Sequence, residues 1–211
     1  MPSTCPKCHE VVAEDVVCCA GLACTWKCRS CHKVGSGFAL PYGKCQLCGG
    51  EIEVVQGTQF DDPMRVKPIR DAVQFELNSY HFYRLALERV TEPTLRAVLE
   101  QLYQNEVDHL HLLQERYHTH LADDVLELRP AVAKLLGDEL FAGIDLTDPK
   151  GGPLALYDQA IAMERRTRDH FKGLAEALPK GPERDVCLEL AAEEEEHVAM
   201  LETEREQFRG D

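Results

Sequence analysis

The stretch AAEEEEHVAMLE, Ala191 to Glu202, decides how this chain is read. It sits in a segment with helical apolar spacing and sets Glu193, Glu194, Glu195 and Glu196 directly before His197. Leu190, Val198 and Leu201 mark one apolar stripe. Steps of three or four residues put Glu194 and His197 on that stripe and turn Glu193, Glu195 and Glu196 sideways or outward. A solvated charged face is the alternative for any such run, so the reading depends on whether the pattern recurs.

It recurs upstream. Leu99, Leu102, Leu110 and Leu113 form the apolar stripe of another helical segment and bracket Glu106 and His109, again a Glu-x-x-His pair. Two further segments each carry one inward glutamate, Glu76 in VQFELNSY and Glu164 in AIAMERRT. Glu76 precedes Glu106 by 30 residues and Glu164 precedes Glu194 by 30, while Glu76, Glu106 and His109 recur 88 residues later as Glu164, Glu194 and His197. That agreement implies two copies of one helical hairpin related by a pseudo-twofold axis. Four carboxylates gathered in a dry interior as bare anions would destabilise the fold through desolvation and mutual repulsion, so cations are expected among them. Two divalent ions would balance four carboxylates, and an oxygen-plus-imidazole set suits iron or manganese. On this reading Glu106 and Glu194 bridge the ions, Glu76 and Glu164 bind terminally, and His109 and His197 each cap one ion.

Working outward, helical spacing is expected from about Ile69 to the TEP at 91–93, from about Thr94 to His120, from about Leu154 to Leu178, and from about Glu183 to Phe208. Between the second and third lies a long connection holding a short helix, RPAVAKLLGDELF, and a breaker cluster, DLTDPKGGP. Two hairpins joined by one long crossover is the connectivity of a ferritin-like four-helix bundle, so a mainly α fold is expected over 69–211. Residues 56–68 read as a linker, and 1–55 as a small cysteine-rich module.

The 211 residues carry a formal net charge of -14, all of it in the helical part: residues 61–211 hold 18 Lys/Arg against 32 Asp/Glu, whereas 1–60 hold five of each. An acidic bundle repels phosphate backbones, which argues against a nucleic-acid partner. No run of 18 apolar residues exists and MPSTCPKC lacks the features of a signal peptide, so no membrane association and a cytoplasmic location are expected. In that reducing setting clustered cysteines read as metal ligands rather than disulfides.

Nine of the ten cysteines fall within the first 48 residues. Cys28, Cys31, Cys45 and Cys48 form two Cys-x-x-Cys knuckles separated by 13 residues, a spacing that brings four thiolates around one zinc or iron ion. Gly49 and Gly50 fit the turn after the second knuckle. Cys5 and Cys8 form a third pair, and Cys19 with Cys24 are the favoured partners in a second site for zinc or iron, with Cys18 the alternative to Cys19. CPKCH and CRSCH also match the pattern for covalent haem attachment, but that reading needs export and leaves Cys45 and Cys48 without a role. Cys187 reads as core packing. His81, His111, His118, His120 and His170 read as surface residues. Tyr80, Tyr83, Tyr103 and Tyr157 lie at spacings that reach the carboxylates, with ordinary core packing the alternative for each.

The module WKCRSCHKV through KCQLCGG, followed by helices carrying Glu76, Glu106, His109, Glu164, Glu194 and His197, resembles the rubrerythrins. The order, module before bundle, is that of the reverse rubrerythrins, and the resemblance covers about residues 26–208. It implies a rubredoxin-like or zinc-ribbon module beside a ferritin-like di-iron domain: a cytoplasmic oxidoreductase that reduces hydrogen peroxide, with electrons entering at the four-cysteine iron from a donor protein and often crossing a homodimer interface. The family's additional glutamate would lie three residues from Glu164, where this chain has Ile161 and Thr167. His32 stands where rubredoxin knuckles have glycine. A ferritin-like iron oxidation or storage protein with a zinc-ribbon docking module is the alternative.

Overall fold

The computed structural model describes residues 3–4, 11–12, 24–37, 40–56, 63–117, 121 and 123–210. Chain contacts divide into two compact units, Met1–Asn78 with Asp108–Leu135, and Ser79–Val107 with Leu136–Asp211. The architecture is mainly helical with a small strand region towards the start of the chain.

In the first unit, β1 (Ser3–Thr4) pairs antiparallel with β2 (Val11–Val12). A separate three-stranded antiparallel sheet has β3 (Cys24–Cys28) between β4 (Val34–Gly37) and β5 (Ile52–Gln56). Its register is set by close packing: Trp26 pairs with Gly35, and a Cβ on Gly35 would lie 2.5 Å from the Trp26 ring. Only glycine leaves room for that buried indole. A short 3-10 turn, Pro41–Gly43, lies between β4 and β5, and helix α1 (Pro63–Leu87) is the next element described after β5.

α1 begins inside the stretch 56–68 that composition marks as a linker. Proline at a helix's first position gives up no hydrogen bond, because that amide has no partner in any case, and its fixed φ suits the helix. Pro68, inside the helix, is buried and gives up one backbone bond at most. Ile69, Ala72, Val73 and Leu77 form the buried stripe of α1 in this unit, and Leu110, Leu113 and Tyr117 that of helix α2 (Pro93–Tyr117). Two short helices follow, α3 (Asp123–Leu126) and α4 (Pro130–Leu140). Leu40 and Tyr42 hold to α1 by hydrogen bonds: Gln74 Nε2 donates to the Leu40 carbonyl at 2.9 Å, and the Tyr42 amide donates to Asn78 Oδ1 at 2.8 Å.

The second unit contains the remainder of α1, α2 and α4, with α5 (Gly151–Ala177) and α6 (Pro182–Gly210). α5 and α6 pack antiparallel. Ion pairs Asp158–Arg205, Arg165–Glu202 and Lys172–Glu195 run along their shared edge, and Ala175, Leu178 and Cys187 close the turn end. α5 starts inside the breaker cluster, at Gly151, where Asp148 Oδ1 accepts the amides of Lys150 and Gly151. Glu92 does the same for α2, accepting the amides of Thr94 and Leu95. Leu156, Tyr157, Leu190 and Leu201 are fully buried between these helices. Among the described residues no helix is long and apolar enough to cross a membrane.

Candidate metal centres

Cys28 ends β3, Cys31 follows in the turn, and Cys45 and Cys48 lie in the matching turn before β5. The two knuckles repeat one backbone plan. The His32 amide donates to the Cys28 carbonyl at 3.1 Å and the Gly49 amide to the Cys45 carbonyl at 2.8 Å. The Cys28 amide donates to the Lys33 carbonyl and the Cys45 amide to that of Gly50, each at 2.9 Å. The residue after each second cysteine is left-handed, His32 at φ 61 and Gly49 at φ 72. Each loop thereby turns its amides onto sulfur: those of Ser30 and Cys31 reach Cys28 Sγ, and that of Leu47 reaches Cys45 Sγ, all at 3.4 Å. These bonds, led by that from Cys31, draw the Cys28 thiol down to about 6.

The four sulfurs lie within metal-binding distance of one another. Cys28 and Cys48 are 3.6 Å apart and Cys31 and Cys45 3.7 Å apart. A disulfide needs about 2.05 Å. A tetrahedral ion with metal–sulfur bonds of about 2.3 Å sets sulfur–sulfur edges of about 3.8 Å. The donor set and its spacing therefore fit a four-thiolate ion and not two disulfides. Cys24, the other predicted thiolate that is described, is buried and directs its Sγ to the Gly37 carbonyl at 3.4 Å. Cys5, Cys8, Cys18 and Cys19 lie outside the described residues.

Within the second unit, Glu106 from α2, Glu164 from α5, and Glu194 with His197 from α6 bring donor atoms within 4.8 Å of one another. The three glutamates have no exposed surface and His197 is 4% exposed. His197 Nδ1 lies 3.2 Å from Glu194 Oε2 and 3.8 Å from Glu106 Oε1, so this ring nitrogen faces the carboxylates. On the outer side, Asn105 Nδ2 lies 3.0 Å from His197 Nε2. Glu164 accepts a short hydrogen bond from the Tyr83 hydroxyl through Oε1, and its Oε2 has no hydrogen-bond partner among the described residues. Burial, and then the neighbouring Glu194, push the Glu164 carboxyl far above the usual carboxylate range. Burial and the same carboxylates push the Tyr83 phenol up as well. A buried set this anionic, with a carboxylate oxygen left over, fits a bound cation that displaces the protons.

Within the first unit, Glu76 on α1 and His109 on α2 form a second buried pair, with His109 Nδ1 2.9 Å from Glu76 Oε2. The same ring nitrogen faces a carboxylate in both histidines. Glu195 and Glu196 are exposed and Glu193 half-buried, as the stripe on α6 requires.

Two expectations change. His81 is fully buried, against its reading as a surface residue, because it lies on the inward side of α1 edge-on to the Tyr80 ring at 4.9 Å. His170 is half-buried, whereas His111 is exposed as expected; His118 and His120 lie outside the described residues. Of the four tyrosines, Tyr83 reaches a carboxylate, Tyr103 donates to Tyr80 at 3.3 Å, and Tyr157 packs beside Phe208. Asn105 was not anticipated, although its place directly before Glu106, in the helix that carries a Glu-x-x-His pair, was a usable signal. No protein-family model, curated protein or solved structure matches this chain.

Proposed function

We propose that this chain is a rubrerythrin-like non-haem di-iron oxidoreductase that reduces hydrogen peroxide to water, its long helices forming a ferritin-like four-helix bundle. The observation that carries the reading is the buried Glu106, Glu164, Glu194 and His197 set in the same chain as the four-cysteine group. Glu164, Glu194, Glu106 and His197 would hold one iron. Glu76 and His109 would hold the second, because Glu106 and His109 are one turn apart on α2 and the 88-residue repeat assigns equal roles to both halves. Glu106 and Glu194, the glutamates of the two Glu-x-x-His pairs, would serve both ions on this reading.

Two ferrous ions, when bound, supply the two electrons that convert one peroxide and two protons into two waters. The chain's own contribution is electrostatic and positional. Buried carboxylates would compensate the ionic charge, the fully buried Leu102, Leu190 and Leu201 lie one helical turn from Glu106, Glu194 and His197, and the Tyr83 hydroxyl keeps Glu164 oriented. Iron at Cys28, Cys31, Cys45 and Cys48 would pass electrons from a donor protein, with a homodimer as the expected assembly. Anaerobic addition of peroxide to the ferrous protein should oxidise two irons per peroxide. Absence of oxidation, or oxidation that persists in Glu164→Ala, overturns the reading.

A second reading rests on Ile161 and Thr167, both buried where the family's additional glutamate would lie. With only the symmetric ligand set, the bundle would suit iron oxidation or storage using oxygen, and zinc at the cysteines would make the module a docking element. Elemental analysis separates the two: iron at the cysteines supports electron transfer, and zinc supports the ribbon.

A further inference from the structure

His197 presents its two ring nitrogens to different surroundings. Nδ1 lies 3.2 Å from Glu194 Oε2 and 3.8 Å from Glu106 Oε1, whereas Nε2 lies 3.0 Å from the side-chain amide of Asn105. Asn105 is half-buried on α2, and the ring that it backs is buried. A histidine that binds metal through one nitrogen usually donates its other N–H to a carboxylate, a carbonyl or water, and a carboxylate there makes the ring a stronger donor to the ion. In this chain the group placed at that nitrogen is an uncharged amide.

We infer that Asn105 is a positioning residue for His197 whose neutral amide keeps the reduction potential of iron at the Glu106, Glu164, Glu194 and His197 position above the value a charged partner would impose, so that ferric iron there stays easy to re-reduce. This inference rests on the metal reading above and adds to it what sets the balance between the two oxidation states. Three buried carboxylates already face this position. They favour the ferric ion over the ferrous one, because each anion gains more from the extra positive charge where the dielectric is low. A further anion behind the ring would push the balance the same way.

The hydrogen bond carries the effect. With an ion on Nδ1, the ring proton sits on Nε2, and the Asn105 amide accepts it through Oδ1. Oxidation takes one electron from the ion and leaves that proton on the ring, where it becomes more acidic. A hydrogen bond to an ionised acceptor is roughly twice as strong as a neutral one, so a carboxylate at this place would gain more on oxidation than the amide does. A partner shifts an equilibrium only by the difference in its interaction with the two states. Asn105 therefore fixes the orientation and tautomer of the ring while biasing the ion little, whereas an apolar side chain would supply no acceptor.

The test poises the iron-loaded full chain at fixed potentials with redox mediators, without oxygen, and counts ferric and ferrous iron by Mössbauer spectroscopy, which separates iron on oxygen and nitrogen from iron on thiolates. Asn105→Asp should raise the ferric-to-ferrous ratio of the oxygen- and nitrogen-ligated iron by roughly 10-fold, a shift of about 59 mV for one electron. Asn105→Leu should lower that ratio. In the zinc-loaded protein, nitrogen NMR should place the His197 proton on Nε2, and this proton should exchange with water faster in the Leu variant than in the parent or the Asp variant. An Asp variant that matches the parent, a Leu variant whose ratio is unchanged or raised, or a His197 proton on Nδ1 would overturn the inference. Should the Leu variant fail to fold, the Asp variant and the parent's nitrogen spectrum decide alone. Failure of the parent to hold any oxygen- and nitrogen-ligated iron would instead overturn the metal reading. Iron that mediators oxidise but peroxide does not would overturn only the proposed reaction.

Discussion

Residue by residue, the two knuckles show what one side chain costs in an otherwise shared plan. Gly49 and His32 occupy the same left-handed position, and for an L-residue that conformation costs about 1–2 kcal/mol. Glycine there also loses more freedom on folding, by about 0.4–1 kcal/mol. His32→Gly should therefore stabilise the metal-loaded module by up to about 1 kcal/mol, read as a shift in its denaturation midpoint. Cys187 gives the pH-dependent case. Burial pushes its thiol up to about 11 from an ordinary value of 9.0. Between those values the folded state holds a proton that the unfolded state has lost, so stability is intact below pH 9 and falls as pH rises towards 11. The loss is about 2 kcal/mol. Cys187→Ala, a modest packing change beside Ala175 and Leu178, should flatten that slope in chemical denaturation measured across pH 8.5–11.

At the scale of elements, the α5–α6 hairpin separates interactions that matter from those that decorate. Leu190 is fully buried, and Leu190→Ala should cost about 2–5 kcal/mol, seen as a lower thermal midpoint. Arg205→Ala removes the half-buried partner of the exposed Asp158 and should cost about 1 kcal/mol or less. α2 depends on its first turn: Glu92→Ala strips the acceptor from the Thr94 and Leu95 amides and should cost about 1 kcal/mol. Element positions were readable from spacing, within a few residues, because apolar periodicity follows directly from helix geometry. The start of α1 was not. Pro63 and Pro68 read as linker punctuation, yet proline is compatible with an opening turn, and the choice between the two depends on contacts that no local window contains.

For the whole molecule, buried negative charge and clustered thiols would couple a bound metal to the fold. Removing metal with a chelator should leave the buried glutamates protonated or repelling, and lower the unfolding midpoint. Restoring ions at about 100 times their dissociation constant should return about 2.7 kcal/mol per site. Cys45→Ser should abolish the module's metal while leaving that of Glu106, Glu164, Glu194 and His197 in place, and Cys187→Ser should alter neither, as elemental analysis would show. An unchanged midpoint after chelation would mean that the carboxylates are accommodated without cations.

The sequence by itself determined which side chains share a face. Glu106 with His109, and Glu194 with His197, are one turn apart on their helices, and Cys28 with Cys31 and Cys45 with Cys48 are one knuckle apart. Such placements are local consequences of backbone geometry, so no knowledge of the partner element is required. Only the tertiary structure decided what stands opposite each face: that Tyr83 reaches the Glu164 carboxylate, that Asn105 backs His197, and that His81 is buried. Those outcomes join residues up to 92 positions apart. They depend on which helix packs against which, and that is settled by the summed burial of apolar surface over whole elements and not by any short run of residues.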